Sequence, residues 1–146
     1  MKLLGLLLFL FAIPVLFLNG CGSDGEGENE LSEFELKHGV GPVDEPIEII
    51  EINTELAAKG EQLFETRCTA CHQLEVPITG PALANVANNR EPAFIMNYIL
   101  NPLEMRQRHP VAKELSQEYP GVMTDQGLDR EQARAVVEFL TAYARD

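Results

Sequence analysis

The chain has no tryptophan, few aromatics (7%) and only three cysteines, and 11 Lys and Arg face 23 Asp and Glu. So few large rings leave its own side chains short of the apolar bulk that usually centres a core. The shortage of cations, a net charge of −12, repels nucleic acid and anionic lipid headgroups and favours a partner with a basic patch. Three cysteines are too few for a disulfide framework, and an odd count asks for a separate fate for each. Zinc is short of ligands as well: there is one Cys-x-x-Cys and no His pair at finger spacing. The 146 residues suffice for one domain with appendages.

The N-terminus reads as a targeting segment. Lys2 is a short positive start, and Leu3 to Leu18 is a nearly unbroken apolar run. Leu18-Asn19-Gly20-Cys21 resembles the bacterial lipoprotein cleavage site. That resemblance implies a signal peptide at 1–20, a lipid anchor on Cys21 and a location in the bacterial periplasm. Several acyl chains on one residue give stable anchoring. An uncleaved N-terminal helix is the alternative, and it too leaves the soluble part tethered. Cleavage removes only Lys2 among the charges, so 10 cations then face 23 acids, a net −13.

Residues 21–52 read as an acidic flexible tether followed by an extended arm. Gly22 to Glu30 holds only Gly, Ser, Asp, Glu and Asn and cannot bury apolar surface. A chain flexible as far as Glu51 would have an r.m.s. reach of about 30 Å. Lys37 to Val43 is rich in turn residues, and His38 within it is expected to be a solvent-exposed loop histidine rather than a metal ligand.

Cys68-Thr69-Ala70-Cys71-His72 fits Cys-x-x-Cys-His. Residues three apart lie on one side of a helical turn. Two thiols so placed can add to the two vinyl groups of one haem, and the next residue, His72, points at the iron. A thioredoxin-like pair would need a βαβ context, and the flanks here have helical periodicity. Asn53 or Thr54 starts a helix running to Cys68. Pro92 opens another to about Leu100; Pro102–Arg108 and Val111–Glu118 read as short helices. Asp129 with Gln132 forms a capping-box signature before the last helix.

With these motifs in place, residues 53–146 resemble the small class I (monohaem) cytochrome c family. The resemblance implies an all-α fold whose N- and C-terminal helices cross, with one covalent haem c as the core. Gly60 and Phe64 match the family's crossing positions, and Leu140 and Tyr143 are expected as their partners. Gly80-Pro81-Ala82-Leu83 resembles the family's Gly-Pro-x-Leu segment, in which the Pro81 carbonyl accepts a hydrogen bond from the haem histidine. Lys37 to Pro42 and Asn101 to Met105 resemble small cytochromes encoded beside nitrous-oxide-respiration genes.

Four residues compete to be the sixth iron ligand. Met96 sits in an apolar helix, where methionine fills gaps. Met105 and His109 lie among arginines and are expected to be exposed. Met123 occupies the family's ligand position, in the loop before the final helix, with Thr124 where many members have proline. The metal pair is therefore expected to be His72 and Met123, with Cys68, Cys71 and Pro81 completing the cofactor site. The function implied is electron carriage to a respiratory reductase or oxidase, by a monomer meeting periplasmic or membrane redox proteins. Two alternatives stand: a ligand-binding or peroxidase-like protein with an open sixth position, and a fixed haem subunit of a larger oxidoreductase.

Overall fold

A computed structural model describes residues 30–146. The expected signal peptide, the lipid site at Cys21 and the first part of the tether lie outside the described residues. Within them the chain forms seven α-helices and no strand: α1 Glu33–His38, α2 Thr54–Arg67, α3 Val86–Asn89, α4 Pro92–Leu100, α5 Pro102–Arg108, α6 Pro110–Glu118 and α7 Arg130–Arg145.

Local chemistry sets most of the helix ends. The Asn53 side chain accepts from the Leu56 amide at the start of α2. Asp129 and Gln132 form the expected capping box on α7. Proline occupies the first turn of α4, α5 and α6, where its missing N–H costs nothing. Helix α1 was not expected. Ser32 and Glu35 form a full capping box there, with the Ser32 amide 2.9 Å from the Glu35 carboxylate.

Helices α2 and α7 cross at Gly60. A Cβ on Gly60 would fall inside contact distance of the Ala135 carbonyl and 3.0 Å from the Phe139 Cβ, so only hydrogen fits there. The Phe64 and Phe139 rings meet beside it with centroids 5.4 Å apart. Gly60 and Phe64 thus lie at the crossing, but their partners are Ala135 and Phe139 rather than Leu140 and Tyr143. Leu140 is one step, or about 100°, round α7 from Phe139, and Tyr143 lies about one turn beyond Phe139 on the same side, with ring centroids 6.3 Å apart. Leu140 turns inward to the core shared with Val136 and Val137. Tyr143 turns outward, and its hydroxyl donates to the Glu75 carboxylate at 2.6 Å.

Residues 31–52 lie on the helices, so the extended arm packs on the domain and a flexible span does not run as far as Glu51. Val43 and Ile49 join the main core, with Phe64 of α2, Met96 and Ile99 of α4 and the inner face of α7. Val40 joins a second cluster with Phe94, Met105 and Ala112. Asn97, fully buried on α4, clamps the arm. Its Nδ2 donates to the carbonyls of His38 and Val43, both at 2.9 Å, and its Oδ1 accepts from the Val43 amide at 2.8 Å. Gly41 lies so close that a Cβ there would sit 2.5 Å from Asn97 Oδ1. At the arm's far end Arg145 donates to the Ile49 carbonyl at 2.7 Å.

The packed arm also overturns three expectations of exposure. His38 is the last residue of α1 and is 6% exposed, while Met105 and His109 are 0% and 1% exposed. The arginines near Met105 and His109 do mark a solvent face, where Arg108 pairs with Glu35 and Glu104. The opposite face of the same short helix is the one the arm covers.

Candidate functional site

Helix α2 ends at Cys68, whose amide still donates to the Phe64 carbonyl at 2.9 Å. The chain then turns tightly. The amides of Cys71 and His72 both donate to the Cys68 carbonyl, at 3.0 and 2.8 Å. This turn gathers the two thiols and the imidazole into one short stretch at the end of a helix that α7 holds in place.

Residues 73–84 fold back onto that turn. Gly80 donates its amide to the Cys71 carbonyl at 2.8 Å, and Leu83 and Ala84 donate to Gln73 and Leu74 at 3.0 and 2.9 Å. The hydrogen bond expected between His72 and Pro81 is there, with Nδ1 2.9 Å from the Pro81 carbonyl. A carbonyl only accepts, so Nδ1 carries the proton and Nε2 keeps its lone pair for a metal. Gly80 lies flat against the ring: a Cβ there would stand 2.8 Å from His72 Nδ1 and closer still to Cε1. Glycine at 80 and a carbonyl at 81 together fix the plane and the tautomer of His72.

The thiols do not have the character of a dithiol redox pair. Burial pushes the Cys68 thiol up to about 11, with the neighbouring Cys71 adding to the rise. A dithiol redox pair needs the reverse, a thiol whose thiolate is populated near neutral pH. Among the described residues no group of three or more His, Cys, Asp or Glu side chains is arranged to hold a metal ion.

The candidates for a second axial ligand separate clearly. Met96 is a core residue of α4. The Met105 sulfur accepts the Val40 amide at 2.9 Å. Both nitrogens of His109 are engaged, Nδ1 with the Val111 amide and Nε2 with the Leu36 carbonyl, each at 3.2 Å. Met123 is half-buried in the α6–α7 loop and packs on the main core. That loop reaches the His72 side of the molecule, because Gly121 sits against Thr79, the neighbour of Gly80. A cleft of about 720 Å³ between residues 47–50 of the arm and the α3–α4 junction holds none of these groups, so the chemistry does not reside there.

Two thiols at one turn, an imidazole with Nε2 free, and a thioether on an adjoining loop fit a covalently held haem. Sequence reasoning found these residues because their signals are local. It missed Asn97, whose amide, inside the otherwise apolar run Pro92 to Leu100, signals a buried polar partner.

Comparison with known proteins agrees with the geometry. The model of the family described as Cytochrome c matches residues 57–143. The structure of a cytochrome c from Rhodothermus marinus is 50% identical with a TM-score of 0.72, covering 76% of this chain and 96% of that one. An engineered form of the Rhodothermus marinus protein is 48% identical with a TM-score of 0.73, covering 77% and 97%. A structure of that engineered form bound to a carbene intermediate is 48% identical, with a TM-score of 0.70 and the same coverage. Among curated protein sequences none matches this chain significantly. With the family model spanning most of the described helices, and half the residues shared with a solved member, the chain belongs to the cytochrome c family and carries covalent haem c.

Proposed function

We propose that this haem c electron-transfer protein works as a membrane-tethered carrier in the bacterial periplasm, with His72 and Met123 as the residues that bind the iron. The bound haem supplies one-electron chemistry at its iron. The chain's own residues hold that site still. Pro81 and Gly80 fix the His72 ring, and the loop of Met123 is braced against Thr79. With His72 and Met123 both bound to the iron, no bond would need to rearrange as the electron arrives or leaves.

One observation carries this reading over a ligand-binding or peroxidase-like one: the state of His109. Such chemistry needs an acid/base group beside an open position. His109, the histidine among the candidate sixth ligands, has both of its nitrogens already bonded inside the α1–α5–α6 junction. Val76, Ile78 and Val122, on the two loops that meet at Thr79, are 43 to 55% exposed. With Glu75 and Asp125 beside them they offer an apolar contact with an acidic fringe, suited to a redox partner with a basic patch. The terminal acceptor to assay first is a nitrous-oxide-reducing one. The two segments behind that resemblance pack on each other here, Val40 against Met105, so their pattern also has a structural use.

The test is the ionic-strength dependence of electron transfer from the reduced holoprotein to a basic cytochrome of opposite net charge. A mobile carrier steered by charge should slow by about ten-fold or more between 10 and 500 mM salt, as the Debye length shrinks from about 30 Å to a few ångströms. A rate indifferent to salt, together with co-purification in a complex through high salt, would instead identify a fixed subunit.

A further inference from the structure

We propose that His109 is a pH-sensitive latch that holds α1 on the domain. His109 stands at the junction of three helices. Its own amide closes α5 by donating to the Met105 carbonyl at 2.9 Å. Its Nδ1 caps α6 by accepting from Val111, and its Nε2 reaches across to the Leu36 carbonyl of α1. Its ring edge meets Phe94 at a centroid distance of 5.0 Å.

Only the neutral ring with its proton on Nε2 satisfies both contacts. A second proton on Nδ1 would face the Val111 N–H, donor against donor, and the ring would have to turn. Turning it breaks the Leu36 contact as well. The surroundings do not welcome the cation. On α1, Glu35 is committed to Arg108 at 3.2 Å and to the Ser32 cap, and His38 is stacked on Phe34. At the start of α4, Glu91 is paired with Lys37 at 3.3 Å, and Arg90 lies over Phe94. Arg106 and Arg108 on α5 and Lys113 on α6 are further cations. Burial holds His109 below the usual histidine range; the hydrogen bond to the Leu36 carbonyl opposes it, and the Arg90 charge adds a smaller lowering and the Glu35 backbone a smaller rise.

The sign follows. Once α1 is released the ring can turn away from the Val111 N–H into water and take the proton as a free histidine does, whereas the docked, buried ring binds it more weakly. Docking is therefore fully stable above the free value of about 6.5 and weakens as pH falls below it. Helix α1 has six residues and cannot persist alone. Its Lys37–Glu91 ion pair is exposed and worth little. The Asn97 clamp on the His38 and Val43 carbonyls is indifferent to pH, so release is confined to residues before His38. If Cys21 bears the anchor proposed above, release lengthens the tether at low pH. The latch itself stands or falls without that reading.

The experiment is amide hydrogen exchange of the full-chain holoprotein, corrected for intrinsic rates, at pH 7.5 and 5.5. Protection of residues 33–38 should fall by about ten-fold, the ratio one proton with a free value near 6.5 allows. Asn at 109 can still cap α6 but does not titrate. In His109→Asn the drop should vanish, and in His38→Asn it should persist. Equal protection at both pH values in the wild type, or an undiminished drop in His109→Asn, overturns the proposal. Proton NMR of the reduced wild type reads the same answer without a variant. The α1 amide shifts should move with the midpoint of the His109 ring, and separate midpoints would count against the latch.

Discussion

Replacing Gly60 by alanine should destabilise the domain by about 3 kcal/mol, although the same change in an unobstructed helix stabilises by about 1 kcal/mol. The sign is decided by one contact. The added methyl would press on the Ala135 carbonyl, which is helix backbone and cannot rotate away. Relief requires α2 and α7 to separate, and this is the most extensive helix contact of the fold. Separation would also pull apart Phe64 and Phe139 and loosen the end of α2 where Cys68 begins the haem-binding turn. The denaturation midpoint should fall at unchanged slope, and the melting temperature by roughly 10 °C or more. A Gly60→Ala protein as stable as the wild type would mean that the helices do not cross at this residue.

The second large effect is at Asn97. Its replacement by alanine strips partners from the Val43 amide and from the carbonyls of His38 and Val43 in a single change. Each orphaned buried group costs about 1–3 kcal/mol, and water entering as the arm lifts limits the total to about 3–4 kcal/mol. The damage should be local first. Limited proteolysis should cut between residues 39 and 52 in Asn97→Ala, at protease levels the wild type resists, while the haem spectrum is kept. Asn97→Asp should be no better, because a carboxylate would face the two carbonyls that the amide nitrogen now serves. An uncut arm in Asn97→Ala would show that burial of Val40, Val43 and Ile49 holds the arm without the clamp.

These two residues also mark the boundary of what the sequence discloses. Gly60 is legible as a crossing residue by its place eight positions before Cys68, yet of the expected partners Leu140 misses the crossing by one step on α7 and Tyr143 by one turn. Family spacing reports that two helices meet, but which side chain of a 16-residue helix faces inward depends on the rotation its whole apolar stripe adopts. Asn53, Pro92, Pro102 and the Asp129–Gln132 box fix helix starts through contacts within four residues, and local signals of that kind can be read directly. Cys68, Cys71, His72 and Pro81 belong to the same class, spanning 14 positions.

What could not be read is where the arm packs. Its contacts run from residues 38–43 to residues 97–109, and nothing at either end names the other. Met105 and His109 looked exposed because their neighbours are charged. They are buried because a segment some 65 residues earlier lies over them, with Val40 reaching Met105. The Ser32-x-x-Glu35 pattern that marks the start of α1 sits directly after an acidic stretch, whose composition masks it. An amphipathic pattern shows that a residue can be covered; only the tertiary structure shows by what.

The central claim is that Met123 completes the iron's coordination opposite His72 and so makes this domain an electron carrier. The direct measurement is the far-red absorbance of the purified ferric protein, where methionine bound to iron(III) gives a weak charge-transfer band. The account predicts that the band is present in the wild type, is lost in Met123→Ala, and survives in Met96→Leu and Met105→Leu. A wild-type ferric spectrum without the band and high-spin in form, or a band that persists in Met123→Ala, would contradict it.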